Sequence, residues 1–218
     1  EQGTTDHPTP NPFSPAEAQF MLAKPVSRPP EGEDWLYEIK YDGYRIMAFI
    51  QGQQVQLITR NGHDYAHRFG EVTASLRGWA AGRSMVLDGE MVVIDQKGRT
   101  DFQALQHYGR TTEGRLTYIV FDLLALDGAD WRDRPLIQRK QRLASLMEQA
   151  PASLYYSKHI EGNGAECLQA ACQMQLEGII GKKAHSLYSG NRSGDWVKLK
   201  CQRRQEFVIG GYTQSEAR

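Results

Sequence analysis

The segment Lys40-Tyr41-Asp42-Gly43-Tyr44-Arg45 combines residue types that could perform covalent nucleotide transfer. An amine attacks phosphorus only when it is unprotonated, and an ordinary lysine with a pKa of about 10.4 is almost fully protonated at pH 7. A nearby cation such as Arg45, a bound metal ion and partial desolvation can together lower a lysine pKa by the ~3 units that activation requires. The same residues also fit an ordinary β-hairpin with Asp42-Gly43 at its turn and Lys40 in solvent. Other segments of the sequence must distinguish between these two interpretations.

Five further segments carry the cations, carboxylates and aromatic rings that nucleotide transfer would use. They are Arg60-Asn61-Gly62, Leu87-Asp88-Gly89-Glu90, Phe121-Asp122, Glu177-Gly178-Ile179-Ile180-Gly181-Lys182 and Trp196-Val197-Lys198-Leu199-Lys200. In a strand, Lys198 and Lys200 would lie on one face, so their ammonium groups could converge on one phosphate. The histidines lack a shared ligand spacing such as HxxxH, so the sequence gives no sign of a zinc site.

Hydrophobic patterns predict the elements that must position these residues. Strands are predicted at residues 35–40, 44–50, 54–59, 85–94, 116–123, 154–157, 178–182 and 196–200, and helices at residues 67–80, 101–108, 136–149 and 164–175. We expect the first three strands to form an antiparallel meander. Because strands and helices mix without a strict βαβ alternation, the pattern indicates an α+β fold with largely antiparallel sheets.

Composition places the chain among ordinary globular proteins. Its 218 residues are 40% apolar and carry 26 basic and 26 acidic side chains, so overall charge neither requires nor excludes a nucleic-acid partner. Residues 192–204 form a local basic cluster. Cys167, Cys172 and Cys201 are an odd number without a CxxC motif, which indicates neither a disulfide framework nor a zinc ribbon and fits a reducing cytosol. No apolar run reaches the ~18 residues of a membrane span, so we expect a soluble, cytoplasmic protein.

In their order and spacing, these segments closely resemble the signature motifs of the adenylation domain of ATP-dependent DNA ligases. The resemblance covers about residues 35–200, and the ordered set is specific although each motif alone is weak. The segments at 59–62, 101–106, 120–124 and 207–212 resemble, more narrowly, the ligase modules of bacterial end-joining ligases of the D type. The resemblance implies an ATP-grasp-like nucleotidyltransferase domain whose largely antiparallel sheets are flanked by helices.

The resemblance also implies a domain organisation. Residues 1–12, which are polar and contain prolines, read as a flexible arm or linker, and residues 13–200 would be the adenylation domain. Residues 201–218 would be a hinge and one more strand, which either pairs with the preceding domain or, as we favour, begins an oligonucleotide-binding (OB-fold) domain that this chain lacks. The motif that orients pyrophosphate would lie in that further domain. We therefore expect this chain to bind ATP or retain AMP, yet to seal nicks poorly.

By the same resemblance, Lys40 would attack the α-phosphate of ATP and form a covalent lysyl-AMP. The AMP would later pass to the 5′-phosphate of a DNA nick or break. Adenine would lie between Phe121 and Ile180, and its amino group would donate to Glu38. Ile39 would be a further cofactor-binding residue. Glu38 could instead be a salt-bridge partner, and Phe121 plain core.

The resemblance places the remaining site residues around the sugar and the phosphates. Arg45 and Glu90 would contact the ribose, Arg60 would approach the phosphates, and Lys182, Lys198 and Lys200 would neutralise the α-phosphate. Glu90 and Glu177 would organise a divalent ion, Mg²⁺ or Mn²⁺. Arg45 and Arg60 could also be ordinary surface cations.

The implied partners are nicked or broken double-stranded DNA, an end-binding Ku-type protein and flanking domains of the same polypeptide. We expect a monomer without a membrane partner, located in the bacterial cytoplasm with the nucleoid. Two alternatives stay open. An RNA ligase or a GTP-using capping nucleotidyltransferase shares the lysine chemistry, and a non-catalytic nucleic-acid-binding module would use the basic residues alone.

Overall fold

A computed structural model of the chain describes residues 8–110 and 114–201, which fold into two β-sheets and four α-helices. The strands, in chain order, are β1 (Lys24–Pro25), β2 (Trp35–Ile39), β3 (Tyr44–Gln51), β4 (Gln54–Thr59), β5 (Ser84–Ile94), β6 (Arg115–Leu126), β7 (Ala129–Asp130), β8 (Leu154–Tyr156), β9 (Ile160–Glu161), β10 (Gly178–Lys183) and β11 (Trp196–Lys200). The helices are α1 (Gly70–Ala80), α2 (Phe102–Gln106), α3 (Leu136–Leu146) and α4 (Gly164–Gln173).

The strands form two mainly antiparallel sheets. Sheet A has the order β1-β11-β10-β2-β9, and sheet B has the order β4-β3-β5-β6-β7 with β8 beside β6. Among the described strands, the parallel neighbours are β1 with β11 and β6 with β8. The predicted α+β class with largely antiparallel sheets is therefore confirmed.

Helices cover the outer face of each sheet. On sheet A, Ala171 of α4 is buried with Leu199 of β11. On sheet B, Leu76 of α1 belongs to a larger apolar cluster. A third cluster lies between the sheets and joins Phe121 of β6 to Trp196 of β11. The inner faces of the two sheets are thus turned toward each other.

Two of the helices begin at polar capping residues. The side chain of Asn163 accepts hydrogen bonds from the amides of Ala165 and Glu166 at the start of α4. Asp101 accepts from the amide of Ala104 at the start of α2. Such caps satisfy amides that have no partner within the helix, and they explain why the predicted starts of these helices agree with the structure.

The predicted meander is wrong at its first step. Strand β2 lies in sheet A and β3 in sheet B, so residues 40–43 cross from one sheet to the other instead of forming a hairpin. Gly43 makes the crossing possible, because a Cβ atom there would collide with the main-chain oxygen of Met91 on β5. Alternation along a strand does not reveal which strand lies beside it, so the sequence pattern could not distinguish the two arrangements.

The number and spacing of the cysteines indicated no disulfide framework, yet the structure contains a disulfide. Cys172 at the end of α4 is bonded to Cys201, which directly follows β11, and their Cα atoms are 5.4 Å apart. The pair is separated by 29 residues in sequence. It is the packing of α4 on sheet A that brings the two residues together, and spacing alone does not predict it. Cys167 is a free thiol.

The predicted domain limits fall partly outside the described residues. Of the predicted arm, residues 8–12 are described, and the amide of Asn11 donates to the main-chain oxygen of Ile50 at 3.0 Å. Of the predicted hinge and OB-fold strand, residue 201 is described and residues 202–218 lie outside. Within the described ranges, no helix has the length and apolarity that crossing a bilayer requires.

Candidate active site

The inner face of sheet A carries most of the predicted site. In β11, Val197 and Leu199 pack toward α4, so Lys198 and Lys200 share the opposite face as the alternation predicts. In the neighbouring strands, Ile180 of β10 pairs with Lys198 on one side and with Glu38 of β2 on the other. Side chains from three adjacent strands are thereby brought to one patch.

A cavity of about 200 Å³ lies over this patch, between the two sheets. The predicted residues that line it are Glu38, Ile39, Lys40, Arg45, Arg60, Glu90, Phe121, Ile180, Lys182 and Lys198. Its lining also includes residues that the sequence analysis did not place in the site, namely Leu22, Ala23, Tyr41, Arg192 and Trp196. The predicted Lys200 and Glu177 lie outside this lining, beside Lys40.

At the mouth of the cavity, Glu177 lies between two lysines. Its Oε2 atom is 2.7 Å from Nζ of Lys40, and its Oε1 atom is 3.3 Å from Nζ of Lys200. The main chain fixes the arrangement, because the amide of Lys40 donates to the carbonyl of Gly178 at 3.0 Å. A Cβ atom at Gly178 would collide with the carbonyl oxygen of Leu199, so glycine is needed at this close approach of β10 and β11.

Cations accumulate around Lys198 at the same end of the cavity. Partial burial lowers the pKa of Lys198, and the charges of Lys40, Lys200, Arg192 and Arg60 lower it further. Like charges held together in this way favour an anion among them. This cluster of positive charges could bind the phosphate groups of a nucleotide.

Another part of the cavity wall holds a buried carboxylate with several donors. Oε1 of Glu38 lies 2.8 Å from Nζ of Lys140 and 3.0 Å from Nζ of Lys182, and Oε2 accepts the hydroxyl of Ser157 at 2.7 Å. Burial alone would raise the pKa of Glu38, but Lys140 and Lys182 together hold it below its usual value. Glu38 is therefore an ionised acceptor in a nearly dry environment.

Lys182 belongs to this part of the cavity wall. Burial lowers its pKa to about 8, although Glu38 opposes the shift. Its ammonium group lies 4.2 Å from the ring centroid of Phe121 and 4.1 Å from that of Trp196, which are favourable cation–π distances. The structure places Lys182 against Glu38 and the two rings, and its role at the α-phosphate stays a prediction.

Arg45 is held rigidly in the wall of the cavity. Its Nε and Nη2 atoms each lie 2.7 Å from an oxygen of Asp88, and Nη2 also donates to the carbonyl of Met21 at 3.2 Å. The hydroxyl of Tyr188 donates to the same carboxylate. The guanidinium lies 4.7 Å from the ring centroid of Phe121. A bidentate pair of this kind fixes both position and orientation of the cation.

Glu90 faces Arg45 across strands β3 and β5. Burial raises its pKa to about 7, an effect that the charges of Arg45 and Lys40 partly offset. Glu90 can therefore change its protonation state near neutral pH while lining the cavity.

The acids fit a divalent ion only in part. Over the described ranges, no three histidine, cysteine or acidic residues cluster as metal ligands would. However, Oε2 of Glu177 is buried beside Lys40 without forming a hydrogen bond of acceptable geometry, so it has capacity for a further partner. Glu177 and Glu90 could each supply oxygen to Mg²⁺, whose remaining ligands would be phosphate oxygens and water.

Lys140, Ser157 and Tyr188 are buried residues that hold site side chains and that the sequence analysis missed. Lys140 lies three residues before Leu143 and four after Leu136, both fully buried, so its place on the apolar face of α3 was a usable signal. Tyr188 lies in a loop without periodicity, and no local pattern predicts its contact with Asp88.

Comparison with known proteins agrees with this geometry. The model of the ATP dependent DNA ligase domain family matches residues 20–200. The multifunctional non-homologous end joining protein LigD of Pseudomonas aeruginosa is 47% identical over 195 residues, which cover 88% of this chain and 23% of that protein. The SPbeta prophage-derived DNA ligase-like protein LigB of Bacillus subtilis is 32% identical, with 90% and 72% of the two chains covered.

The crystal structure of the ligase domain from M. tuberculosis LigD superimposes with a TM-score of 0.77 at 31% identity, covering 86% of this chain and 62% of that one. This chain thus spans less than a quarter of the P. aeruginosa LigD protein. The matches favour a DNA ligase over the RNA ligase and capping alternatives. A family match over residues 20–200, with the motif residues gathered around one cavity, shows that the chain belongs to the ATP-dependent DNA ligase domain family.

Proposed function

We propose that this domain transfers the adenylyl group of ATP to DNA through a covalent lysyl-AMP intermediate on Lys40. The observation that carries the proposal is the polarity of the cavity. The cavity lining offers the buried acceptor Glu38 beside the rings of Phe121 and Trp196, and it also offers a cluster of cations around Lys198 to which Lys40 belongs. A nucleotide fits this layout with its base inside and its phosphates at the mouth.

Lys40 first loses a proton from its ammonium group to solvent. The first step then forms a bond between Nζ of the neutral amine and the α-phosphorus of ATP, and a second proton leaves Nζ for solvent. The bond from that phosphorus to the bridging oxygen breaks, and pyrophosphate leaves with the electron pair. In the second step, an oxygen of a DNA 5′-phosphate attacks the same phosphorus and the P–N bond breaks. The 3′-hydroxyl of the adjoining strand then attacks the activated 5′-phosphate and releases AMP.

Phosphoryl transfer depends mainly on positioning and charge neutralisation. Lys198 and Lys200 share one face of β11, and in this proposal they neutralise the α-phosphate while Arg60 and Arg192 add further positive charge. Glu90 would accept a ribose hydroxyl in its ionised form. A divalent ion held by Glu177 and Glu90, Mg²⁺ or Mn²⁺, would supply further neutralisation of the phosphate charge.

Glu177 has a second consequence for the reaction. Its Oε2 atom forms an ion pair with the ammonium group of Lys40 at 2.7 Å. Movement of Glu177 toward a metal ion would release the amine near its target. Lys200, which shares Glu177, would then be available to the phosphate.

The DNA partner is proposed to be a nicked or broken duplex. The relatives named for non-homologous end joining support this choice. The exposed cations Arg60, Arg192 and Lys200 at and beside the cavity support it too. A Ku-type end-binding protein and flanking domains of one polypeptide are further proposed partners. Contacts made through phosphates would give binding that weakens with salt and shows little base preference.

Lys40→Arg tests the proposal, because a guanidinium stays protonated and cannot attack phosphorus. The chain is incubated with α-labelled ATP and Mg²⁺ or Mn²⁺, separated under denaturing conditions, and mapped by peptide mass. We expect covalent label on Lys40, its loss in Lys40→Arg, and its retention in the exposed control Lys97→Arg. Label that persists in Lys40→Arg, or that maps to Lys198 or Lys200, would refute the assignment of the nucleophile.

A further inference from the structure

Lys140 is a fully buried lysine that does not line the nucleotide cavity. It projects from α3 beneath the adenine end of the proposed site, and its Nζ atom lies 2.8 Å from Oε1 of Glu38. The same ammonium group donates to the carbonyl of Ser157 at 2.9 Å. A buried ammonium is costly unless it is paired, so this contact needs a reason.

The contacts of Glu38 leave it one acceptor position. An ionised carboxylate has about four positions at which it can accept a hydrogen bond. Lys140 and Lys182 occupy two positions at Oε1, and Ser157 occupies one at Oε2. Because Glu38 lines the cavity, the remaining position is available to a donor that enters there.

Lys182 is a less secure anchor than Lys140. Its ammonium group also rests on the faces of Phe121 and Trp196, which line the cavity and would be in contact with a bound base. Lys140 lies behind Glu38, where a nucleotide cannot displace it. Together with Ser157, it holds the carboxylate from the side away from the cavity.

We propose that Lys140 is a positioning residue that fixes Glu38 as the acceptor for the 6-amino group of adenine and so sets the preference for ATP over nucleotides without that group. The inference rests on the proposed function, since it assumes that the base enters at Glu38. A purine without the 6-amino group leaves the fourth position of a buried carboxylate unpaired. Guanine would bring its 6-oxygen against that carboxylate, acceptor against acceptor. Sites built in this way discriminate strongly against analogues that lack the donor.

The test compares ATP with purine riboside 5′-triphosphate, which differs only in lacking the 6-amino group. Binding is measured by calorimetry without divalent metal, so that no chemistry occurs, for the parent chain, Lys140→Met, Ser157→Ala and the exposed control Lys158→Met. We expect the parent and the control to bind ATP about 10- to 100-fold more tightly than the analogue, the size of one hydrogen bond to a charged group. In Lys140→Met that ratio should fall to a few-fold, mainly through weaker binding of ATP.

Ser157→Ala keeps the proposal testable if Lys140→Met does not fold. It removes one donor to Glu38 and should lower the ratio in the same direction by a smaller factor. If Lys140 had only a structural role, its loss would weaken the binding of both nucleotides equally. An unchanged ratio of the two affinities in the folded variants would therefore overturn the proposal. A parent chain that prefers ATP but never labels Lys40 would instead refute the proposed function and leave the role of Lys140 intact.

Discussion

Lys40 and Glu177 form an ion pair in which Nζ and Oε2 are 2.7 Å apart. The proposed nucleophile is thus held by the acid that is best placed to bind a metal ion. A metal that competes for Glu177 would free the amine at the moment when nucleotide phosphates arrive. In this proposal Glu177 would have two functions, which a single substitution would remove together.

Glu177→Gln should therefore slow formation of lysyl-AMP by at least about 10-fold, the scale on which lost positioning and charge compensation act. A higher concentration of Mg²⁺ should be needed for half-maximal labelling. Labelling rates across a magnesium titration check this, with the exposed Glu148→Gln as the matched control. A parental rate over the whole titration would leave Glu177 a structural residue.

Glu90 should make the stability of the protein depend on pH. Its pKa is raised from 4.5 to about 7, chiefly by burial, so the folded state favours the protonated carboxyl. The contribution of that proton to stability is complete below about pH 4.5 and is lost as the pH rises through 7. Glu90→Gln removes the cost of the buried charge, and it should be more stable than the parent at pH 8 by on the order of 1–3 kcal/mol.

Urea unfolding of the two proteins at pH 5 and pH 8 measures this difference. The advantage of Glu90→Gln should shrink toward zero at the lower pH. An equal difference at both values would show that Glu90 does not titrate near neutrality in the folded chain.

Asp88→Asn should be strongly destabilising. The carboxylate is fully buried and forms a bidentate pair with Arg45, so its loss leaves a guanidinium without its counter-ion. Breaking a buried pair typically costs 3–5 kcal/mol, so we expect a decrease of about this size in the free energy of unfolding. Tyr188→Phe removes one hydrogen bond to the same carboxylate and should cost only about 1–3 kcal/mol. Denaturant midpoints rank the two variants, and a Tyr188→Phe that is as damaging as Asp88→Asn would contradict the ranking.

Cys172→Ser should affect stability only under oxidising conditions. The bond to Cys201 closes a loop of 29 residues, for which chain entropy gives roughly 3–4 kcal/mol of stabilisation. Thermal unfolding with and without a thiol reductant separates the effect of the bond from that of the side chain. The parent should lose stability on reduction while the variant should not respond. Equal responses of the two proteins would show that the bond contributes nothing.

Much of the fold was predictable because its elements are locally encoded. Strands β4 and β11 have the bounds that the alternation predicts, and α4 begins one residue after its capping Asn163. The helix predicted from residue 67 begins instead at Gly70. In the preceding turn, Phe69 is held by a long-range cluster that a local pattern does not reveal.

The sequence predicted which residues form the candidate site, but it did not predict the contacts that hold them in place. The ordered motifs located residues that line one cavity, because residue type and spacing carry that information. The contacts of Lys140 with Glu38 and of Cys172 with Cys201 depend on how distant elements pack. The crossing at residues 40–43 is of the same kind, since strand pairing is a property of the whole chain.

That crossing makes Lys40 the last residue of one wall of the cleft before the chain enters the other. An adenylate bonded to Lys40 would touch Ile180 from sheet A and Phe121 from sheet B, both of which line the same cavity. It would thereby link sheet A to sheet B through a ligand that is covalently attached to the protein. The stabilisation that a reversibly bound ligand gives depends on the concentration of free ligand. The stabilisation by a covalently bound adenylate would persist after dilution or dialysis. The protein with AMP bonded to Lys40 would then be more stable against unfolding than the protein without AMP. Each completed transfer of AMP to DNA would return the protein to the less stable form.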